Sequence, residues 1–109
     1  VAYSPICDGE CAGISEIRVE PECKSYFGQS LHVRDRLKAH WRDLSAGWHA
    51  NPELQRYWHI YGPKAFEALL KVAAPPGQDD LHLARWLVTQ ERHYIQQAGG
   101  MRAVINADW

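Results

Sequence analysis

The stretch that decides the fold runs from Gly13 to His40. It reads GISEIRV at 13–19, EPECK at 20–24, SYFGQS at 25–30 and LHVRDRLKAH at 31–40. Two strand-like runs joined by a short segment that contains a proline are typical of a β-hairpin. Gly28-Gln29-Ser30 then predicts a turn and an N-cap for the helix that follows. A hairpin that leads directly into a helix is therefore the expected centre of the domain.

The remaining sequence predicts two more helices and a strand. Apolar residues at helical spacing give the first helix one buried face: Val33, Leu37, Trp41 and Leu44. Asn51-Pro52 predicts the start of a second helix, because asparagine caps well and proline suits a first turn. Apolar alternation predicts a strand over 65–73. A long helix is expected from Asp79 or Asp80 to about Gln97, with a short strand or turn around 103–105.

These patterns predict the order β-β-α-α-β-α, followed by a tail. The expected fold class is α+β, with a small three-stranded antiparallel sheet flanked by helices. A chain of 109 residues is long enough for one hydrophobic core. The sequence is therefore interpreted as a single domain, 1–109, in which residues 1–12 form an irregular lead-in.

Charge and hydropathy limit the classes of function. Twelve Lys and Arg against thirteen Asp and Glu give a net charge of −1, which argues against a strong stand-alone nucleic-acid binder. No apolar run approaches the length of a membrane span, and no signal or transit peptide is visible. The chain is therefore predicted to be intracellular, in the cytoplasm, with no membrane association.

The cysteines and tryptophans each allow two interpretations. Three cysteines, Cys7, Cys11 and Cys23, without a secretory signal favour a reducing compartment and ordinary thiols. The alternative is a small zinc site completed by a histidine, although the spacing is not a well-known one. The five tryptophans indicate core filling, with stacking on unpaired bases as the alternative.

Glu91 stands out on physical grounds alone. The apolar face of the third predicted helix is formed by Ala84, Leu87, Val88, Tyr94 and Ile95. Successive residues turn by about 100° around a helix, so Glu91 points into the middle of that face. A carboxylate placed there is costly unless it is paired, hydrogen-bonded or bound to a cation. Either an Arg or Tyr satisfies it, or it is a ligand of a divalent cation such as Mg²⁺.

Four basic or ring-bearing residues on the first helix and one tyrosine are further candidates. Arg36 and His40 are neighbours at i and i+4, either covering apolar atoms at the core boundary or contacting a phosphate. Arg34 and Lys38 fall on the opposite, exposed side, where they provide solubility or non-specific phosphate contacts. Tyr26 is an ordinary strand aromatic unless nearby positive charge lowers its pKa toward use as a base.

The ordered set of these residues resembles the catalytic module of the GIY-YIG nucleases, in particular the homing-endonuclease branch. Gly13-Ile14-Ser15 stands where the family has Gly-Ile-Tyr, and Tyr26-Phe27-Gly28 stands where it has Tyr-Ile-Gly, with ten residues between the triplets. Further matches follow in family order over roughly residues 13–109: Arg36, His40, Leu54-Gln55, Tyr61-Gly62, Glu91 and Asn106.

The resemblance implies a metal-dependent endonuclease that hydrolyses DNA by a one-metal mechanism. It implies that Glu91 binds Mg²⁺ or Mn²⁺, and that the catalytic residues are Tyr26, Arg36, His40 and Asn106. Ser15, Arg34 and Lys38 are the expected substrate contacts. Specificity for DNA is expected to come from an appended domain or a partner protein.

One departure from the family pattern keeps a second hypothesis open. Ser15 replaces the first tyrosine of the motif, and a serine hydroxyl is shorter and less acidic than a phenol. The alternative is therefore a catalytically weakened or inactive module that keeps the fold and binds nucleic acid or protein.

Overall fold

The computed structural model describes residues 11–99 and 103–105. The elements follow in the order β1 (Gly13–Val19), β2 (Lys24–Ser30), α1 (Val33–Ala46), α2 (Pro52–Tyr61), β3 (Phe66–Ala73), α3 (Asp80–Ala98) and β4 (Ala103–Val104). The predicted order and the α+β class are confirmed. Within the described ranges, no helix has both the length and the hydropathy of a membrane span. Most of the expected lead-in, residues 1–10, and Asn106 lie outside the described residues.

The sheet has the strand order β3-β1-β2-β4. Strand β1 is central and pairs antiparallel with β2 and β3, which is the predicted three-stranded sheet. Among the described residues, the short β4 adds a parallel fourth strand that pairs with Lys24 and Ser25 at the start of β2. The β1–β2 hairpin closes through a 3-10 turn, Glu20–Glu22, and through Cys23, whose φ of 52° is left-handed.

The prediction of a turn at Gly28-Gln29-Ser30 is wrong. These residues are the last three of β2, and Gly28 pairs with Ser15 of β1, so sheet pairing overrides the local turn preference. Helix α1 begins at Val33, and its N-cap residue, His32, makes no side-chain cap. The hydroxyl of Ser30 instead accepts the backbone N–H of His32 at 2.9 Å, which fixes the strand-to-helix connection.

The predicted starts of α2 and α3 are confirmed. The side chain of Asn51 accepts the N–H of Leu54 at 3.0 Å, and that of Asp79 accepts the N–H of His82 at 2.8 Å. Gly47 ends α1 with a φ of 88°, a left-handed conformation that glycine adopts without strain. Local sequence therefore sets where α2 and α3 begin and where α1 ends.

The main core lies between α1 and α2 and the sheet face that carries Ile17. It consists of Ile17, Val19, Val33, Leu37, Leu44, Leu54, Tyr57, Phe66, Ala68, Leu70 and Ile105. Trp41 and Trp58 pack edge-on to each other and against Phe66, which agrees with the core-filling interpretation for these two tryptophans. Trp48, in the loop after α1, is 73% exposed.

Helix α3 lies on the opposite side of the sheet, where it contacts β2 more extensively than β1. Side chains alternate between the faces of a strand, so Ile14 and Phe27 point away from the main core. Both are buried, as is Leu87 of α3. The sheet is therefore covered on both faces, and α3 is placed beside β2.

Gly13→Ala should destabilise the domain, because the added Cβ would lie 2.3 Å from the carbonyl oxygen of Val72 in β3. Backbone atoms must then move, and such overpacking costs about 1–3 kcal/mol. Thermal unfolding measures the effect, at roughly 4–8 °C per kcal/mol for a domain of this size.

Gly28→Ala is the matched control, because its Cβ would meet the Ser15 hydroxyl oxygen at 3.6 Å, an ordinary contact. Equal melting temperatures for the two variants would contradict the steric explanation for Gly13.

Candidate active site

Tyr26 and His40 come together where β2 faces α1. Tyr26 pairs with Ile17 of β1, so its side chain shares the sheet face that α1 covers. Its ring lies edge-on to the ring of His40, with 5.5 Å between the centroids. His40 is buried, with 3% of its surface exposed. Two of the predicted catalytic residues are therefore direct neighbours.

A second histidine, His49, completes this group of rings. It lies in the loop between α1 and α2 and stacks on His40, with centroids 5.0 Å apart and an interplanar angle of 25°. Its ring is also edge-on to Tyr26, at 6.1 Å. Nothing in the sequence indicates that His49 joins this group, because a loop residue belongs to no periodic pattern.

Gln55 of α2 holds the His49 loop in place. Its side-chain oxygen accepts the N–H of His49 at 2.8 Å, and its amide nitrogen donates to the carbonyl of Leu44 at 3.1 Å. One buried amide thus links the end of α1, the loop and α2. Gln55 was noticed in the sequence only as part of a Leu-Gln match, and nothing there indicated this bridging role.

His40 is neutral over the physiological pH range. Burial lowers its pKa, the charge of Arg36 adds to the effect, and Asp43 opposes it, leaving the pKa at about 3. Arg36 lies one turn before His40 on α1 and is exposed. The structure therefore places a solvent-accessible guanidinium next to a buried neutral imidazole.

The three predicted substrate contacts lie in different surroundings. Arg34 and Lys38 are exposed on α1, two residues either side of Arg36, so each points about 160° away from it around the helix. Ser15 is buried in β1, and its hydroxyl lies 3.5 Å from the carbonyl oxygen of Gly28. None of the three is placed beside Arg36 by these contacts.

Glu91 is buried in α3 with 4% of its surface exposed, which agrees with the direction that helical geometry gave it. Burial raises the pKa of its carboxyl group, and a hydrogen bond from the backbone N–H of Gln29 offsets only part of that rise. The satisfying group is thus a backbone amide at the end of β2, and not the Arg or Tyr that the sequence suggested. In the part of the chain that the structure describes, no ion pair offsets the negative charge of this carboxylate.

A second buried carboxylate, that of Glu16 in β1, differs from Glu91 in that its negative charge is balanced by ion pairs. It is 2% exposed, accepts the hydroxyl of Ser25 at 2.6 Å, and pairs with Arg18 at 3.0 Å and Lys71 at 3.2 Å. Burial alone would raise the pKa of Glu16, but the hydrogen bonds from Ser25 and Arg18 and both positive charges lower it below its usual value. Glu16 therefore belongs to a structural ion cluster, whereas no cation of residues 11–99 or 103–105 pairs with Glu91.

Glu91 is connected to the ring cluster through β2. It binds the backbone of Gln29, while Tyr26 lies three residues earlier in the same strand, about 10 Å away at 3.3 Å per residue. Gly28, between them, presents no side chain on the face that carries Tyr26. Tyr26 lies on the sheet face that α1 covers and α3 lies on the opposite side, so these contacts connect the two sets of groups through the backbone of β2 and do not bring them to one point. Asn106, the remaining predicted residue, lies outside the described residues.

The donor set around Glu91 fits a Mg²⁺ or Mn²⁺ ion better than a protein-enclosed metal. Residues 11–99 and 103–105 hold no cluster of three or more His, Cys, Asp or Glu side chains arranged around one point. Mg²⁺ is often held by one or two carboxylates, with water and substrate phosphate as the other ligands. An uncompensated buried carboxylate suits that arrangement. The zinc alternative involves Cys7, which is outside the described residues, so it stays a prediction.

Comparison with known proteins bears on the fold. No protein-family profile and no curated protein matches the chain. Among solved structures, a mutant of the catalytic domain of intron endonuclease I-TevI matches with a TM-score of 0.68 and 24% identity, covering 82% of this chain and 84% of that one. The catalytic domain of homing endonuclease I-TevI matches with a TM-score of 0.67 and 23% identity, covering 83% and 90%. The chain therefore has the GIY-YIG fold.

Proposed function

We propose that this chain is a metal-dependent endonuclease that hydrolyses phosphodiester bonds in DNA. The observation that carries the proposal is the environment of Glu91, a buried carboxylate that accepts a backbone N–H and has no ion pair among the described residues, whereas the buried carboxylate of Glu16 is ion-paired. A buried charge left uncompensated is expensive, and functional sites are where such cost is retained. The likeness in fold to a homing endonuclease catalytic domain supports the same assignment.

Each residue of the site has a distinct proposed role. Glu91 would hold Mg²⁺ or Mn²⁺, and the bound ion would supply positive charge at the scissile phosphate and the leaving oxygen. Tyr26, after losing its own proton to solvent, accepts the proton of the attacking water as a phenolate. Arg36 offers its planar donors to the phosphoryl oxygens as negative charge grows on them. His40, neutral and buried, lies against the ring of Tyr26.

Arg36 is the phosphate contact that the geometry favours on α1. Arg34 and Lys38 point away from it, so a DNA strand bound beside Arg36 and Tyr26 would not reach them. With a net charge of −1, the chain has little long-range attraction for DNA. We therefore propose that affinity and sequence specificity come from an appended domain or a partner protein.

A second candidate function is DNA or protein binding without cleavage. Ser15 favours it, because the hydroxyl that replaces the motif tyrosine is buried and directed at a backbone carbonyl. In that position it cannot reach substrate as the structure stands. Cleavage by the wild-type protein would exclude this candidate.

Arg36→Ala should lower the rate of plasmid nicking by about 10²–10³-fold, the usual loss when one preorganised charge-stabilising group is removed from an active site. Nicking of supercoiled plasmid is measured with Mg²⁺ or Mn²⁺ and with a chelator. Arg85→Ala is the matched control, since Arg85 is an exposed arginine of α3 that lies outside the proposed site.

The expected pattern is metal-dependent nicking by the wild type and the Arg85 variant, and strongly reduced nicking by the Arg36 variant. Absence of cleavage in the wild type with either metal would support the binding function. Equal loss in both arginine variants would point to general charge and not to the site.

A further inference from the structure

We propose that His49 is a positioning residue: by donating to Nδ1 of His40, it leaves His40 with its own proton on Nε2, from which His40 donates a hydrogen bond. His40 then stabilises negative charge at the site, on the Tyr26 oxygen or a phosphate oxygen, and does not act as a base. The proposal rests on the proposed function for its consequence. The ring arrangement itself follows from hydrogen-bond directions alone.

The first step is the backbone of Asn51. Its N–H lies 3.0 Å from Nδ1 of His49 and can only donate. Nδ1 of His49 must therefore present a lone pair. A neutral imidazole carries its single proton on the other nitrogen, so His49 is protonated on Nε2.

The second step is the contact between the two histidines. Nε2 of His49 lies 2.7 Å from Nδ1 of His40. Since Nε2 of His49 carries the proton, it donates, and Nδ1 of His40 accepts. An imidazole whose Nδ1 accepts a hydrogen bond is neutral, in agreement with the burial that lowers the pKa of His40 to about 3, so its own proton is on Nε2. One backbone N–H thus sets the tautomers of both rings in sequence.

The third step is the rigidity of the chain of contacts. Asn51 is the N-cap residue of α2, and Gln55 of the same helix accepts the N–H of His49. Both imidazoles are buried and stacked. Reversing the direction of the hydrogen bonds would leave the buried N–H of Asn51 facing a protonated Nδ1. The loop therefore permits one arrangement.

The consequence concerns the proton of the attacking water. In this arrangement, the lone pair of His40 is used by His49, so His40 has none to offer Tyr26 or a water. Removing the proton is left to Tyr26, whose ring is edge-on to His40. A donor beside the phenol would stabilise the negative oxygen that Tyr26 needs to act as a base. His49 acts only through His40.

The test is the tautomer of each histidine, measured by long-range ¹H–¹⁵N NMR on uniformly labelled protein between about pH 5 and about pH 8, the range in which an ordinary histidine titrates. The groups facing His40 are Tyr26, Arg36, Asp43 and His49, and the same spectra report their effect. Three variants accompany the wild type. His49→Ala removes the donor, His49→Gln places an amide N–H near the position of Nε2, and His59→Ala removes an exposed histidine that contacts Gln55 instead of His40.

We expect the wild type, the His49→Gln and the His59→Ala proteins to show His40 as the unprotonated Nε2–H tautomer throughout. In His49→Ala, His40 should become a mixture of tautomers. The rate of DNA cleavage by this variant should fall at least about tenfold, and the His49→Gln protein should recover part of that loss. A wild-type His40 that is protonated on Nδ1, or a tautomer unchanged in His49→Ala, would overturn the proposal. If no variant cleaves DNA but the tautomers are as expected, the ring arrangement stands and the endonuclease function fails.

Discussion

Glu91→Gln should reduce DNA cleavage by at least about 100-fold while leaving the fold intact, because it removes the charge that would hold the metal ion at the scissile phosphate. Glutamine keeps the shape of the side chain. Its carbonyl oxygen can still accept the backbone N–H of Gln29, as the carboxylate does. The substitution therefore separates the charge from the packing.

The same variant should be more stable than the wild type at neutral pH. Burial raises the pKa of Glu91 in the folded state, so the folded protein binds its proton more tightly than the unfolded chain does. Stability contributed by such a group falls as the pH rises through the unfolded pKa toward the folded one. At neutral pH the ionised carboxylate is a cost that glutamine removes. The difference in unfolding free energy between the two proteins should become smaller at acidic pH, once Glu91 is protonated.

Thermal unfolding with and without Mn²⁺ measures the stability and the metal binding of the two proteins independently of their activity. Added metal should raise the melting temperature of the wild type and leave that of Glu91→Gln unchanged. Glu67→Gln is the matched control, because Glu67 is a half-exposed carboxylate of β3, 3.8 Å from Arg18 and outside the proposed site. A Glu91→Gln protein that is less stable than the wild type and equally active would show that the carboxylate is structural.

Tyr26→Phe should lower the cleavage rate by about 10²–10⁴-fold, the range found when a positioned acid or base is removed. The phenyl ring keeps the edge-on contacts with His40 and His49, whose centroids lie 5.5 Å and 6.1 Å from that of Tyr26. The loss would therefore reflect the missing hydroxyl and not a rearranged site.

Single-turnover cleavage as a function of pH tests the role of the hydroxyl. The wild-type rate should rise with pH, because the phenol must lose its proton to act as a base, and the residual rate of Tyr26→Phe should lack that rise. Tyr61→Phe removes a phenol that bonds to Glu22 at the exposed end of α2, so it serves as the control. Comparable rates for the Tyr26 variant and the wild type would assign the base to another group.

The parts of the fold that the sequence predicts well are those set by local patterns. Alternating apolar residues predict β3, and capping asparagine and aspartate residues predict the starts of α2 and α3. Helical periodicity predicts that Glu91 points inward. Ser30 was misplaced because pairing with β1 extends β2 past a segment whose residues favour a turn. Local preference is a weak guide where a partner strand is present.

The parts of the site that sequence could not give are those made by tertiary contact with the backbone. The partner of Glu91 is the N–H of Gln29, and any residue at that position offers the same group. His49 reaches His40 because α2 folds back and Gln55 captures the loop between the helices. Neither contact leaves a trace in residue type or spacing.

The short β4 has a consequence for handling the protein. Within the described residues it pairs with Lys24 and Ser25 of β2, and Glu91 of α3 accepts the N–H of Gln29 farther along the same strand. Backbone amides and carbonyls of an edge strand that have no partner are a template on which other chains can assemble. Because α3 contacts β2, substitutions that loosen α3 should expose more of this strand and promote aggregation.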